Sequence, residues 1–225
     1  MAERFDVVIV GARCAGSPLA TLLARAGLRV CVVDRAQFPS DTASTQAIYT
    51  LFGGMPGLFD ALVSDGFIRM ARHVEAVPET DDPVADFFAG GRAYCDWALT
   101  NPQCYRLMFG LTKGLDVRRG LRMSATGTLA NFPEGQAAAE VMVRSLRRVV
   151  DAGRILPVDP LLVAGQFLSA THGYVLLEIA GSFDEGHGLQ IIAALGINLM
   201  VGLGDSREAA EYSLLAVVSA APANA

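Results

Sequence analysis

The chain has 225 residues, of which 52% are hydrophobic and 18% charged, with a formal net charge of −5. That is long enough for one full domain, or one domain with an appendage, and apolar enough to bury a sizeable core. The acidic balance argues against a generally basic nucleic-acid coat, while leaving room for a small basic reading head.

Phe5 to Val10 (FDVVIV) is a short continuous apolar run, the pattern of a buried parallel strand. It is too short for a signal peptide and is soon followed by Arg13, so a cytoplasmic location is expected. Gly11 to Gly16 (GARCAG) is a glycine-punctuated turn. Pro18 to Ala26 reads as a helix with Leu19, Leu22 and Leu23 on one face, ended by Gly27. Val30 to Val33 is a second strand, closed by Asp34. Together these form a β-α-β unit, and no third alternating strand follows Phe38-Pro39.

From Ser44 the period becomes helical. Ser44 to Phe52 is a short helix and Gly53-Gly54 a turn. Pro56 opens a helix to about Val74, with Leu58, Leu62, Phe67 and Met70 as its apolar side. Pro78 to Pro83 is an acidic loop. Asp82-Pro83, a cap followed by a first-turn proline, opens a long helix that stops near Asn101-Pro102. Tyr105 to Phe109 is a short helical piece. Gly110 to Pro133 is glycine-rich, with Asp116 to Thr126 compatible with a helix.

Glu134 to Ala152 is amphipathic. Val141, Met142, Leu146, Val149 and Val150 face in, and Arg144, Arg147, Arg148 and Asp151 face out. Asp159-Pro160 opens a helix to about Ala180. Ser182 to His187 is a turn, and a last apolar helix runs to about Gly202. The tail after Ala216 reads as frayed. Leu161–Leu177 and Gly188–Gly204 are apolar but short of the ~20 residues of a membrane span, and they carry polar groups. Helices of a bundle or dimer interface fit them better than a membrane hairpin. The cysteines Cys14, Cys31, Cys95 and Cys104 form no CxxC pair and have no ligand partners at metal spacing. They read as reduced thiols, and no metal site is expected.

Gly11 and Gly16 follow a strand and open a helix, and Asp34 ends the next strand, eighteen residues after Gly16. That is the setting of a dinucleotide fingerprint, in which the helix N-terminus meets a pyrophosphate and the acid accepts from a ribose. Arg13 replaces the middle glycine. The string GARCAGSPLATLLARAGLRVCVVDRAQFPSDT resembles the FAD-binding start of flavin oxidoreductases of the geranylgeranyl-reductase type, a family that commonly has arginine there. A working flavin domain needs more strands than two. The expectation is therefore a relic without catalytic residues. No cofactor is expected, and any residual claim on FAD would rest on Gly11, Gly16 and Asp34.

STQAIYTLFGGMPGL, residues 44–58, resembles the recognition helix and following linking helix of TetR-type (tetracycline-repressor-like) regulators. By that resemblance Ser44, Thr45, Gln46, Tyr49 and Thr50 would be the DNA contacts, at phosphates and base edges. Met55 stands where similar sequences usually carry lysine. Phe87 to Gly110, and His172-Gly173 within FLSATHGYVLLEIAG, resemble the ligand-binding part of one TetR subfamily. The tryptophan usual a few residues before that His-Gly pair is absent.

The resemblance implies a cavity for a small apolar effector, with Tyr94, Trp97, Tyr105, Met108, Met142, Phe167 and His172 as its expected lining. It also implies a homodimer through the last two helices and an operator DNA as partner. The two reading-head helices that should precede Ser44 are replaced by the β-α-β piece, so the head is incomplete.

The expected fold is thus mainly α, a TetR-like helical bundle with a short N-terminal β-α-β appendage. Residues 1–43 are a partial FAD-binding fragment, 44–76 a partial helix-turn-helix, and 77–225 the ligand-binding and dimerisation domain. The arrangement reads as an in-frame fusion with its seam at Asp41 to Gln46.

Overall fold

The computed structural model describes residues 5–10, 16–33, 52–111 and 133–219. Among them the chain is mainly α, with eight helices and one two-stranded sheet. The short helix expected over 44–52 and the segment 116–126 lie outside the described residues, apart from Phe52. The chain divides into two compact bodies, one of residues 1–67 and 101–121, the other of residues 68–100 and 122–225.

In the first body β1 (Val7–Val10) and β2 (Val30–Val33) pair in parallel, in register from Val7↔Val30 to Val10↔Val33. Parallel strands need a crossover, and α1 (Gly16–Arg25) supplies it. Ile9, Leu19, Leu23 and Leu28 are buried. Leu22, expected beside Leu19 and Leu23, is instead 49% exposed. Two strands cover only a narrow stripe of a helix, and the i, i+4 pair Leu19/Leu23 fills it. Gly27 ends α1 with φ of +84°, and a Cβ there would lie 2.5 Å from Gln103 Oε1. The positive φ requires glycine, and a side chain there would also have to displace the Gln103 amide.

The first body also holds the start of α2 (Met55–Glu75) and all of α4 (Pro102–Met108). Leu58 and Phe67 are buried as expected, Leu62 is half-buried, and Phe59 and Val63 join the core. The buried stripe of α2 is wider than the spacing alone suggests. A Cβ on Gly66 would meet Met108 Sδ at 2.6 Å, so that glycine lets the Met108 side chain lie against α2. Tyr105 and Phe109 pack with ring centroids 4.6 Å apart, and Phe67 meets Phe109 edge-on at 5.8 Å.

The second body takes the end of α2 together with α3 (Pro83–Thr100), α5 (Pro133–Asp151), α6 (Pro160–Ile179), α7 (His187–Gly202) and α8 (Arg207–Ser219). Both Asp-Pro pairs open helices as their chemistry dictates. Asp82 Oδ1 accepts from the amides of Val84 and Ala85, and Asp159 Oδ1 from that of Leu161. Val143, Leu146 and Val149 are the buried stripe of α5, with Val141, Met142 and Val150 at its margins.

Three expectations are corrected here. Arg148, assigned to the outer face of α5, turns its guanidinium to the buried Asp86 carboxylate at 2.8 Å, because a long side chain at the margin of a stripe can reach across it. The stretch after Gly202, to which the pattern assigns no helix, forms α8, with Ser206 Oγ accepting from the Ala209 amide at its start. Its small inward residues, Ala210 and Ser213, give little hydrophobic signal. Finally, α6 has twenty residues and is, among the described residues, long and apolar enough to cross a membrane. A third of its apolar window is buried inside the fold.

One polar cluster binds the second body's ends together. Arg154 donates from Nε and Nη2 to the two oxygens of Asp205, at 3.2 and 2.8 Å, and from Nη1 to Asp82 Oδ1 at 3.2 Å. The fully buried Ser213 hydroxyl donates to Asp82 Oδ2 at 2.7 Å. Burial alone would raise the Asp82 carboxyl. Hydrogen bonds from Ser213 and the Ala85 and Val84 amides, with the Arg154 charge, outweigh it and hold the group below its ordinary 3.8. The unfolded carboxyl therefore takes up a proton at higher pH than the folded one. This contribution to stability is full above about pH 4 and is lost as pH falls through the folded value. Urea midpoints measured from pH 7 to pH 3 should fall at the acid end, and Asp82→Asn should make that fall shallower.

Candidate functional site

The expected site residues fall into three groups. Ser44, Thr45, Gln46, Tyr49 and Thr50, the expected DNA contacts, lie outside the described residues, as do Gly11 and Asp34 of the fingerprint. Gly16 is the first residue of α1, whose first turn holds no acidic side chain. A helix start without acidic side chains is compatible with a pyrophosphate. The sheet behind it has two strands among the described residues, with Val8 59% and Val32 39% exposed. These residues fit the first part of a dinucleotide cradle and do not supply the walls of a flavin pocket.

Tyr105 and Met108 are fully buried in the first body. The other five expected effector residues belong to the second. Trp97 and Phe167 are buried, while Tyr94, Met142 and His172 are half-buried. Phe167 on α6 meets Phe87 on α3 edge-on with centroids 4.7 Å apart, and Phe87 also contacts Phe88 at 6.5 Å. A Cβ on Gly196 of α7 would touch Phe88 at 3.1 Å. An aromatic seam thus joins α3 and α6, with α7 against its edge. Burial pushes the His172 imidazole below its ordinary 6.5, favouring the neutral ring at pH 7.

A second cluster lies on α6, one turn beyond His172, and was not anticipated. Tyr174 is buried and stacks on Phe183 with centroids 6.2 Å apart. The Glu178 Oε2 atom is buried and has no hydrogen-bond partner. Burial, then the charges of Glu178, Cys95 and Asp96, push the Tyr174 phenol up to about 12. Burial and the Asp96 charge likewise push the Cys95 thiol up to about 12, which makes it inert as a nucleophile at neutral pH. The signal was present in the sequence. Glu178 is the one acidic residue in the twenty of α6, and a lone acid in an apolar run marks either an internal partner or a site.

Gly188, in the first turn of α7, is the point where that helix crosses this cluster. A Cβ there would lie 2.3 Å from Glu178 Oε2, 2.7 Å from Phe183 Cδ2 and 3.0 Å from Tyr174 Cε2. Gly188→Ala should therefore destabilise the protein by about 1–3 kcal/mol, the usual range for overpacking. In a Glu178→Ala background the same change should cost measurably less. A double-mutant cycle in urea with no coupling would show that the carboxylate is not what Gly188 accommodates.

Comparison with known proteins finds two family matches, which overlap at residues 87–92. Residues 87–197 match the family model of the tetracyclin repressor-like C-terminal domain. Residues 4–92 match that of an FAD binding domain. A stretch of 43 residues is 60% identical to the menaquinone reductase of Mycolicibacterium smegmatis, covering 19% of this chain and 10% of that enzyme. This chain therefore aligns with only a small part of the reductase's length. A solved structure of a protein of unknown function from Rhodococcus sp. RHA1 superposes with a TM-score of 0.57 at 22% identity, over 72% of this chain and 86% of that one. At that identity the likeness is one of fold. An FAD-binding-type segment followed by a tetracyclin-repressor-like C-terminal domain is what a fusion would leave.

Proposed function

We propose that this chain is a TetR-like transcriptional regulator whose helical domain senses a small apolar effector and whose DNA-reading head is incomplete. The observation that carries this reading is the match of residues 87–197 to the tetracyclin repressor-like C-terminal domain. The aromatic seam of Phe87 and Phe167, with Trp97, Tyr94, Met142 and the neutral-leaning His172 in the same body, suits an apolar ligand with few polar groups. Tyr105 and Met108, also expected in the lining, are buried in the other body.

Exposed leucines support a dimer through α6 and α7. Leu162 and Leu177 on α6 are 62% and 48% exposed, and Leu189 on α7 is 59% exposed. Only Gly188 and Met200 of the sixteen residues of α7 are buried. A second copy covering these helices would remove that surface from water. Effector binding would then act as a population shift, changing the spacing of two recognition segments near Ser44–Thr50. Without a supporting helix before Ser44, and with Met55 in place of a lysine, DNA affinity would be weakened across all sequences.

Gel shifts against genomic fragments at low salt, with light scattering in parallel, test this reading. A dimer with salt-sensitive retardation is expected. A dimer that retards no fragment even at low salt would leave a dimerisation module without DNA binding, which would instead form heterodimers with an intact relative on co-expression.

A second reading has its own observation. The FAD-binding match over residues 4–92 and the identity to menaquinone reductase favour a flavin-enzyme relic. The purified protein is expected to be colourless, because the described sheet has two strands and lacks the walls of a flavin site. Stoichiometric flavin absorbance after purification would favour the second reading.

A further inference from the structure

The segment joining α2 to α3, residues 76–82, contains no buried side chain. Its conformation is set by polar bonds, and those bonds converge on arginines of α5 and of the loop after it. Arg144 Nη2 lies 3.4 Å from Glu75 Oε1, at the last residue of α2. One turn on, Arg148 donates from Nη2 to the Thr80 carbonyl at 2.9 Å and from Nη1 to Asp86 Oδ2 at 2.8 Å, with Glu79 at 3.7 Å. Asp86 in turn accepts from the Thr80 amide and hydroxyl. Arg154 completes the row at Asp82. Glu75 thus meets Arg144, Glu79 and Asp86 both meet Arg148, and Asp82 meets Arg154.

We propose that this arginine row is an electrostatic clamp that fixes the α2–α3 joint, so that the core helix α5 sets how the end of α2 meets α3 within the second body. The physical reason is the contrast in what holds each part. Helices α3, α5 and α6 are anchored by buried apolar side chains such as Val84, Leu146 and Val163. The joint has none, and local stability follows the contacts a segment makes. Losing the central arginine therefore loosens the joint before it loosens the bundle. A change that shifts α5 carries the Arg144 and Arg148 guanidinium groups together, while Arg154, in the loop after α5, holds the joint at Asp82. That α2 carries the signal to a DNA-reading segment rests on the TetR-like reading. The clamp itself does not.

Hydrogen exchange on the intact chain, read by mass spectrometry, tests the clamp. Arg148→Gln should raise amide exchange across residues 75–82 by about tenfold or more while leaving α6 at its wild-type protection. Arg147→Gln is the control, because Arg147 pairs with Glu140 on the exposed side of the same helix and its loss should leave the joint unchanged. Arg148→Lys keeps the charge but not the two-pronged fork and should fall between. A joint as protected in Arg148→Gln as in wild type overturns the proposal. So does exchange that rises equally across α3, α5 and α6, since that would make Arg148 a general stabiliser. Either result is independent of whether the chain retards DNA.

Discussion

The guanidinium of Arg154 ties together segments far apart in the chain: Asp82 at the start of α3, Asp205 before α8 and Ser213 within α8. Taking two carboxylates and a cation out of water is costly, and the arrangement holds because almost every donor has an acceptor in good geometry. A lysine could not do this, since a single ammonium cannot bridge Asp205 with two parallel bonds while also reaching Asp82. All the basic residues except Lys113 are arginine. Whatever the origin of that bias, the fold uses its consequence at both Arg148 and Arg154. A small, apolar-rich chain thereby secures the meeting of α3, α5 and α8 with charges at the margins of its core.

Much of the architecture was legible in the sequence because the local signals were strong. The Asp-Pro pairs at 82–83 and 159–160 marked helix starts that the structure keeps, and Gly27 marked an end that needs positive φ. The runs FDVVIV and VCVV gave the two strands. What failed to show were features that depend on partners distant in sequence. Arg148 looks like any outward arginine until Asp86, 62 residues away, is placed beside it. Helix α8 was missed because its buried side consists of alanine and serine, which carry no periodic hydrophobic signal. Leu22 was assigned inward by spacing, yet a two-stranded sheet has no breadth to cover it.

The candidate site was legible only in kind. Resemblance pointed to aromatic and sulfur-bearing residues; Trp97 and Phe167 are buried in one body with half-buried Tyr94, Met142 and His172, and their role as effector lining is a proposal. Tyr105 and Met108 belong to the other body's core, a division that no periodicity could reveal because both lie in a short helix directly after α3. Nor could spacing show that Tyr174, Cys95 and Glu178 influence one another electrostatically. The front of the chain teaches a similar lesson. A glycine-opened helix between two parallel strands is a local motif that forms with few neighbours, whereas a cofactor pocket needs walls from the rest of a domain.

The crossing of α7 over Glu178 also bears on the history of sequences like this one. At Gly188 the space for a side chain is already taken by a carboxylate and two aromatic rings. Position 188 cannot drift freely: a larger residue there must displace the acid at 178 and still meets the Phe183 and Tyr174 rings, so shortening the acid relieves only part of the crowding. The pair should therefore leave a partly correlated trace among descendants, with glycine accompanying glutamate and bulk at 188 accompanying a small residue at 178.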